Sequence, residues 1–286
     1  MTAYLTAPRD RAEELKRLYQ ACFDEKDEAV RILFEEYGLA QYCHAALCGG
    51  EIAAALYLLP AQAAENGRAV QAHYLFAAGT LPKYRGRGLM NGLIHYALSC
   101  AAARGDRYSA LLPAGRGLYQ FYARFGYRPV YRSKCAAATQ ARLFSLPAET
   151  CKVINCSFDK LAGLRFNILL EQNGSLLWDS RHLALAQKLS GQYGGGLFTA
   201  DKGAVYYLRE GQNVYAHEII CKDADLKALL KTFAMQVPAK LYRLRLPAFI
   251  GSAGGMARCG MIKPLSKDAL PPTAMRCPYL LSLIHI

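Results

Sequence analysis

The residues with the clearest chemical potential lie in the stretch PKYRGRGLMNGLI, which begins at Pro82. Arg85 and Arg87 alternate there with Gly86 and Gly88, and the next residues are apolar. A helix N-terminus carries unpaired N–H groups and partial positive charge, glycines let a phosphate approach the backbone, and arginines add charge-assisted hydrogen bonds. Between a strand and a helix, this turn would bind a pyrophosphate, although solvated arginines in an ordinary turn fit the same letters.

Two other phosphate-binding motifs do not fit this stretch. The chain has no G-x-x-x-x-G-K-[ST] sequence, so a P-loop is excluded. Gly86, Gly88 and Gly92 exceed the G-x-G-x-x-G spacing by one residue, and the nearest downstream acid, Asp106, precedes its predicted strand instead of ending it. A dinucleotide site of the Rossmann type is therefore not favoured.

The net charge of +13 indicates anionic ligands without indicating nucleic acid. The excess is spread over both halves of the chain, whereas nucleic-acid binders concentrate it on one element interleaved with exposed aromatic residues. A basic surface that binds no specific ligand is an alternative interpretation. We predict no nucleic-acid partner.

Cysteine, histidine and apolar patterns predict a cytoplasmic protein without metal. The ten cysteines include no CxxC pair, and the few histidines are scattered, so no metal site is expected. The N-terminal residues lack a secretion signal pattern. The apolar stretch Ala45–Ala64 is interrupted by glycine, glutamate and proline, so no membrane association is predicted.

The elements that must position the turn follow from hydrophobic periodicity. The first half reads as two helices, three strands, a helix, a strand, a short aromatic helix and a strand, with the arginine–glycine turn between the third strand and the third helix. This order predicts a mixed α/β (α+β) domain whose sheet is covered by helices. The predicted elements are helices Asp10–Phe23 and Asp27–Gly38, hairpin strands YCHAALC and EIAAALYLLP, strand Val70–Leu81, a helix from Met90 to Gly105, strand RYSALLP, helix Leu118–Phe125 and strand YRPVYRSKCAAAT.

The second half repeats the same order of elements without visible sequence identity. Two helices, three strands, a helix from Asp223 and a strand follow one another. A duplicated fold is one interpretation, and an unrelated α+β domain is the other. Periodicity is lost near residues 139–150, so we predict domains 1–140 and 141–286.

Two motifs of the first half together resemble the GNAT N-acetyltransferases. TLPKYRGRGLM is similar to their acyl-coenzyme A loop, [QR]-x-x-G-x-[GA], with Arg85 at the first position and Gly88 at the fourth, while Met90 departs from the small sixth residue. LYQFYARFGYRPVY, about 30 residues later, resembles the family's aromatic helix with its glycine–aromatic turn. The resemblance implies the GNAT fold, a mixed central sheet flanked by helices.

The RGRGL and RFGY sequences and the second α/β region resemble the tandem enhanced intracellular survival type. That type usually carries a third, sterol-carrier-like domain, for which this chain is short. The junction that matches the arginine–glycine turn in the second half contains Asp223 and Asp225. Acidic side chains repel phosphates, so we predict a degenerate GNAT-like second domain that binds no cofactor and that shapes the acceptor pocket or forms a subunit interface.

The resemblance implies acetyl transfer from acetyl-coenzyme A (acetyl-CoA), and it assigns residues to the steps. Backbone groups of Ala78, Gly79 and Thr80 would hold the pantetheine arm, and Tyr122 would give a proton to the leaving thiolate, with Tyr119 as the substitute. Without the motif, Tyr122 would be read as a core residue. The pyrophosphate would be held by Arg85, Gly86, Arg87, Gly88, Leu89 and Met90.

No residue is assigned as the base that deprotonates the amine. His73 lies on the predicted strand before the loop, and Glu35 and Glu36 close a predicted helix. The carboxylate of Ile286 is a further candidate by resemblance. Each of these has an ordinary structural or solvated interpretation.

The predicted function is an N-acetyltransferase that acts on a primary amine of a small molecule or a peptide, with acetyl-CoA as co-substrate. The alternative is a non-catalytic acyl-CoA-binding or regulatory module. A homo-oligomer is compatible with both.

Overall fold

The computed structural model describes residues 2–251, 254–276 and 278–280. They form two compact units. Within the described part, the first unit comprises 2–62, 70–128 and 261–272, and the second comprises 63–69, 129–260 and 273–280. The predicted domains 1–140 and 141–286 are contiguous segments and remain a prediction, whereas each unit collects segments that are distant in the chain.

The first unit is a mixed sheet with four helices. Its strands follow the order β1-β2-β3-β4-β5, with β1/β2 and β2/β3 antiparallel and β4/β5 parallel. Its elements are β1 (Thr2–Thr6), α1 (Ala12–Cys22), α2 (Asp27–Arg31) with a π-helical turn Ile32–Glu36, β2 (Cys43–Cys48), β3 (Glu51–Glu65), β4 (Arg68–Thr80), α3 (Leu89–Ala103), β5 (Tyr108–Leu111) and α4 (Arg116–Ala123).

Helix α3 is held to this sheet by its apolar face. Leu93, Ile94 and Ala97 are fully buried and pack in one cluster with Leu56 and Leu111 of the strands. Burial of each large aliphatic side chain stabilises the unit by roughly 1.5–3 kcal/mol. The start of α3, and with it the preceding turn, is therefore fixed relative to β4.

The second unit has the strand order β6-β11-β10-β9-β8. Strands β8, β9 and β10 form an antiparallel meander, and β10 pairs in parallel with β11. Its elements are β6 (Arg128–Thr139), α5 (Gln140–Phe144), α6 (Phe158–Leu169), β7 (Leu176–Leu177), α7 (Ser180–Gln192), β8 (Gly196–Ala200), β9 (Gly203–Glu210), β10 (Asn213–Cys221), α8 (Leu226–Gln236) and β11 (Leu241–Pro247). Strand β12 (Gly255–Pro264) belongs to this unit up to residue 260 and to the first unit from Met261.

The predicted mixed α/β class and the repeated element order are confirmed. In both units two helices precede a three-strand meander, and a helix then leads to a strand parallel to the last strand of the meander. Three strands were missed, one of which is the two-residue strand β7. β1 lies before the first predicted helix, and Met261–Pro264 of β12 pairs antiparallel with Tyr108–Leu111.

Candidate active site

The end of β4 extends beyond its parallel neighbour. β4 pairs with β5 over Ala72–Tyr74 and continues to Thr80. Within this extension Ala77 has φ +48°, a left-handed conformation that costs a non-glycine residue about 1 kcal/mol or more. Strain of this kind persists only where the surrounding structure enforces it, and here it precedes Ala78, the first residue predicted to hold the cofactor.

Gly79 is packed so closely that a side chain there would require its neighbours to shift. A Cβ at this position would lie 3.0 Å from Cβ of Cys22 and 3.2 Å from Cε2 of Phe23. The segment that follows α1 therefore covers β4 at Gly79. Burial raises the pKa of the Cys22 thiol, against a smaller opposing effect of Arg85.

The turn after β4 is tied to β3 through one carboxylate. Lys83 Nζ and the Tyr84 hydroxyl both donate to Oε2 of Glu51, each at 2.7 Å. The Lys83 bond, followed by the Tyr84 bond, lowers the pKa of Glu51. Lys83 is thus neutralised locally.

Gly86 and Gly88 have conformations that other residues rarely adopt. Their φ angles are +77° and +74°, and a Cβ at either position would meet nothing within 4 Å. Gly88 is the N-cap of α3, whose first turn has no capping side chain and no acidic residue. The N–H groups of that turn are therefore left for an anionic ligand.

The two arginines of the turn have no carboxylate partner within residues 2–251, 254–276 and 278–280. Nε of Arg85 donates to the carbonyl oxygen of Thr80 at 3.1 Å, which folds this side chain back onto the end of β4. The Arg87 guanidinium lies 5.2 Å from the ring centroid of Tyr84. Both charges remain available to a bound anion.

These residues line one open cleft of about 490 Å³. Seven of the nine predicted cofactor-binding residues are among its walls, while Ala78 and Gly79 precede it on β4. Four lining residues were not predicted: Tyr84, Asn91, Phe121 and Arg124. Phe121 and Arg124 come from α4 and the residue after it, and their i, i+3 spacing on the aromatic helix was the available signal. The full lining is Thr80, Tyr84, Arg85, Gly86, Arg87, Gly88, Leu89, Met90, Asn91, Phe121 and Arg124.

Tyr122 is a buried residue of α4 next to this cleft in sequence. Its ring packs edge-on against Phe121 and Tyr127, and 8% of the residue is exposed. Burial, with a smaller contribution from Tyr74, raises the pKa of Tyr122 to about 12. Its hydroxyl makes no hydrogen bond to the part of the chain that the structure describes. A phenol in this state is a protonated donor without a competing partner.

The candidates for the base are already engaged. His73 is fully buried, its Nδ1 lies 2.6 Å from Oδ2 of Asp106, and desolvation lowers its pKa although Asp106 opposes this. Glu35 and Glu36 each accept a hydrogen bond from a basic side chain, Lys16 at 2.7 Å and Arg31 at 2.6 Å. Ile286 lies outside the described residues. The base therefore remains unassigned.

The corresponding junction of the second unit has the opposite charge. A short 3₁₀ turn, Asp223–Asp225, precedes α8. Oδ1 of Asp223 accepts from the N–H of Gly251 at 2.9 Å, and Asp225 lies 3.8 Å from Nζ of Lys202. These carboxylates occupy the place that the arginines and glycines have in the first unit, and they disfavour a phosphate there.

The described residues contain neither a cluster of metal ligands nor a helix suited to span a membrane. No group of three or more His, Cys, Asp or Glu side chains is arranged to hold a metal ion there. No helix in that part of the chain has the length and apolar character required to cross a membrane.

Comparison with known proteins supports the resemblance of the first unit. Residues 4–130 match the family model described as an acetyltransferase (GNAT) domain. No curated protein sequence matches the chain significantly.

Solved structures with a similar fold span both units. A GCN5-related N-acetyltransferase from Kribbella flavida is 18% identical, with TM-score 0.73, over 92% of this chain and 71% of that one. A GCN5-related N-acetyltransferase from Anabaena variabilis is 16% identical, with TM-score 0.75, over 93% and 73%. Eis1 from Mycobacterium abscessus is 15% identical, with TM-score 0.69, over 93% and 74%. At such identities the likeness shows the fold.

Proposed function

We propose, from the match of residues 4–130 to the acetyltransferase (GNAT) domain model, that the chain transfers an acetyl group from acetyl-CoA to a primary amine of a small molecule or a peptide. The observation that carries the proposal is the cleft at the start of α3. It combines an uncapped helix N-terminus, two glycines with positive φ and arginines without carboxylate partners. Together these features favour a diphosphate ligand.

In this proposal the end of β4 would hold the acyl arm of the cofactor. The cleft begins at Thr80, and Ala78 and Gly79 precede it on the extension of β4 beyond its pairing with β5. Their backbone groups would orient the pantetheine arm and polarise the thioester carbonyl. Close packing of Cys22 and Phe23 against Gly79 holds this backbone in place.

Tyr122 would supply the proton that the departing thiolate needs. The amine nitrogen forms a bond to the thioester carbon, the carbon–sulfur bond breaks, and the phenol proton moves to sulfur. The proton lost by the amine restores the phenol through solvent. A pKa of about 12 keeps Tyr122 protonated at neutral pH, so the donor is in its active form before each turnover.

Two measurements test the proposal in sequence. Millimolar acetyl-CoA should raise the midpoint of thermal unfolding, because a ligand that binds only the folded state stabilises it. A panel of amines should then release free thiol from acetyl-CoA in the presence of the protein. The absence of a thermal shift would contradict cofactor binding, and a shift without turnover for any amine would favour the non-catalytic acyl-CoA-binding module.

A further inference from the structure

Arg124 brings a third cation to the cleft from a separate element. It follows α4 directly and lines the cleft together with Phe121. Its guanidinium lies 5.0 Å from the ring centroid of Phe121, a cation–π arrangement that orients the side chain without neutralising it. No carboxylate in residues 2–251, 254–276 or 278–280 pairs with it.

Several other arginines of the first unit have such partners. Arg31 donates to Glu28 at 2.7 Å, Arg104 to Asp106 at 2.6 Å and Arg107 to Asp268 at 2.8 Å. The cleft, in contrast, collects Arg85, Arg87 and Arg124 with no acidic residue in its lining. This arrangement accumulates positive charge and therefore suits a ligand with more than one anionic group.

The two sources of positive charge have different positions in the sequence and in the fold. Arg85 and Arg87 belong to the turn that leads into α3, so they accompany the uncapped N–H groups of that helix. Arg124 belongs to the end of α4. CoA carries a diphosphate and, separately, a phosphate monoester on the 3′-oxygen of its ribose. The turn offers N–H groups and two arginines to the diphosphate, so Arg124 is the remaining cation of the lining and the monoester is the remaining anionic group.

We infer that Arg124 binds the 3′-phosphate of CoA and makes this site select CoA over dephospho-CoA. The inference rests on the proposed function, because it assumes that CoA occupies the cleft. It adds a specificity-determining residue whose partner is a defined chemical group. Arg124 is exposed, so we expect it to contribute one charge-assisted hydrogen-bonded contact. Such a contact should raise the affinity for CoA about tenfold.

Calorimetric titration with CoA and with dephospho-CoA tests the inference. The wild-type protein should bind CoA about tenfold more tightly. Arg124→Gln should lower the affinity for CoA by about the same factor and change the affinity for dephospho-CoA less than about twofold. Arg124→Lys should retain part of the discrimination, because the charge is kept while the fork geometry is lost.

Arg116→Gln is the matched control, because Arg116 is an exposed arginine at the other end of α4 and does not line the cleft. This variant should behave as the wild type with both ligands. Circular dichroism should show that the variants are folded, as expected for changes at exposed positions.

The possible failures can be told apart. An equal loss of affinity for CoA and for dephospho-CoA in Arg124→Gln would mean that Arg124 contacts the diphosphate, and this would overturn the inference. Unchanged affinities in that variant would also overturn it. So would a wild-type protein that binds CoA and dephospho-CoA equally tightly. A wild-type protein that binds neither ligand would contradict the proposed function itself and remove the basis of the inference.

Discussion

The strand–turn–helix junction occurs in both units, and its side chains differ in charge. In the first unit β4 leads through Pro82–Tyr84 and the arginine–glycine turn into α3. In the second unit β10 leads through Asp223–Asp225 into α8. Both strands extend beyond their parallel pairing, β4 after Tyr74 and β10 after Ala216, and both are irregular, at Ala77 and between Ala216 and Glu218.

The backbone of the two junctions is similar, and the side chains determine which ligand each junction can bind. The backbone provides a helix N-terminus after a strand in both units, and with it a partial positive charge. In the first unit two glycines expose that end and arginines add charge. In the second unit two carboxylates stand before the helix, and Asp223 is used to bind the backbone of Gly251. A shared fold therefore does not imply a shared ligand.

The largest expected effect comes from making the first junction resemble the second. Gly88→Glu should weaken acetyl-CoA binding by more than about 100-fold, because a carboxylate would face the phosphates and φ of +74° would be strained. Gly211→Glu in the second unit is the matched control. Gly211 also has positive φ, +57°, and open space around its Cβ position. The Gly211→Glu variant should suffer similar backbone strain but bind acetyl-CoA with the affinity of the wild type. Equal losses of acetyl-CoA affinity in both variants would refute the assignment of the cleft.

The next effect is on turnover. Tyr122→Phe should lower kcat about 100-fold, because the proton donor is lost, and leave the Kd for acetyl-CoA nearly unchanged. The second unit offers a contrast, since the buried Tyr206 hydroxyl donates to the carbonyl oxygen of Leu183. Tyr206→Phe should therefore cost stability and leave kcat intact.

The pH profile and Tyr119→Phe complete this test. Wild-type kcat should not fall between pH 8 and 10 through loss of the phenol proton, because the pKa of Tyr122 is raised to about 12. Tyr119→Phe should keep most of the activity. Full activity in Tyr122→Phe, with a loss in Tyr119→Phe, would transfer the role to Tyr119.

A smaller effect concerns the buried charges of the two units. In the first unit both carboxylate oxygens of Asp106 are satisfied, by His73, Gln71 and Arg104. Although desolvation opposes this, His73 and Arg104 lower the pKa of Asp106 to about 2. Asp106→Asn should therefore reduce the free energy of unfolding at pH 7 by about 2 kcal/mol. Because the folded-state pKa is depressed, this contribution is present above about pH 4 and is lost as the pH falls through about 2.

The second unit should respond differently. Arg165 and Glu218 are fully buried, but two nitrogens of Arg165 share Oε1 of Glu218, and Oε2 and Nη1 have no partner in the described part of the chain. Replacing this pair together, as Arg165→Met with Glu218→Leu, should be neutral or stabilising. Urea denaturation at pH 7 and pH 3 measures both cases. A pH-independent cost of Asp106→Asn, or a large cost of the double substitution, would contradict the contrast.

The smallest expected effect is at the acidic junction. Asp223→Ala removes the acceptor of the Gly251 N–H and should lower stability by up to about 1 kcal/mol. Acetyl-CoA affinity and turnover should not change, because we expect the cofactor to bind only at the first junction. Altered affinity in this variant would indicate that the second unit takes part in binding.

Local patterns in the sequence were sufficient to predict the elements that form the arginine–glycine turn. Strand β4, the turn with Gly86 and Gly88, helix α3 and the aromatic helix α4 have periodicity, glycines or motifs within a few residues. The repeated order of elements in the second half was recognisable for the same reason.

The features that were not predicted from the sequence depend on contacts between residues that are far apart in the chain. Met261–Pro264 is a strand because it pairs with β5, about 150 residues earlier, and its own sequence lacks a clear alternation. Phe121 and Arg124 join Arg85–Asn91 in one cleft only when folding brings the end of α4 close to the start of α3. The π-helical turn at Ile32–Glu36 continues a correctly predicted helix with a different hydrogen-bonding pattern that periodicity does not distinguish.

The stoichiometry of acetyl-CoA binding tests the central claim most directly. One of two similarly built junctions is expected to bind the cofactor, so calorimetric titration of the full chain should give one acetyl-CoA per chain. Gly88→Glu should abolish this binding. Two molecules bound per wild-type chain, or one molecule still bound with unchanged affinity in Gly88→Glu, would contradict the account.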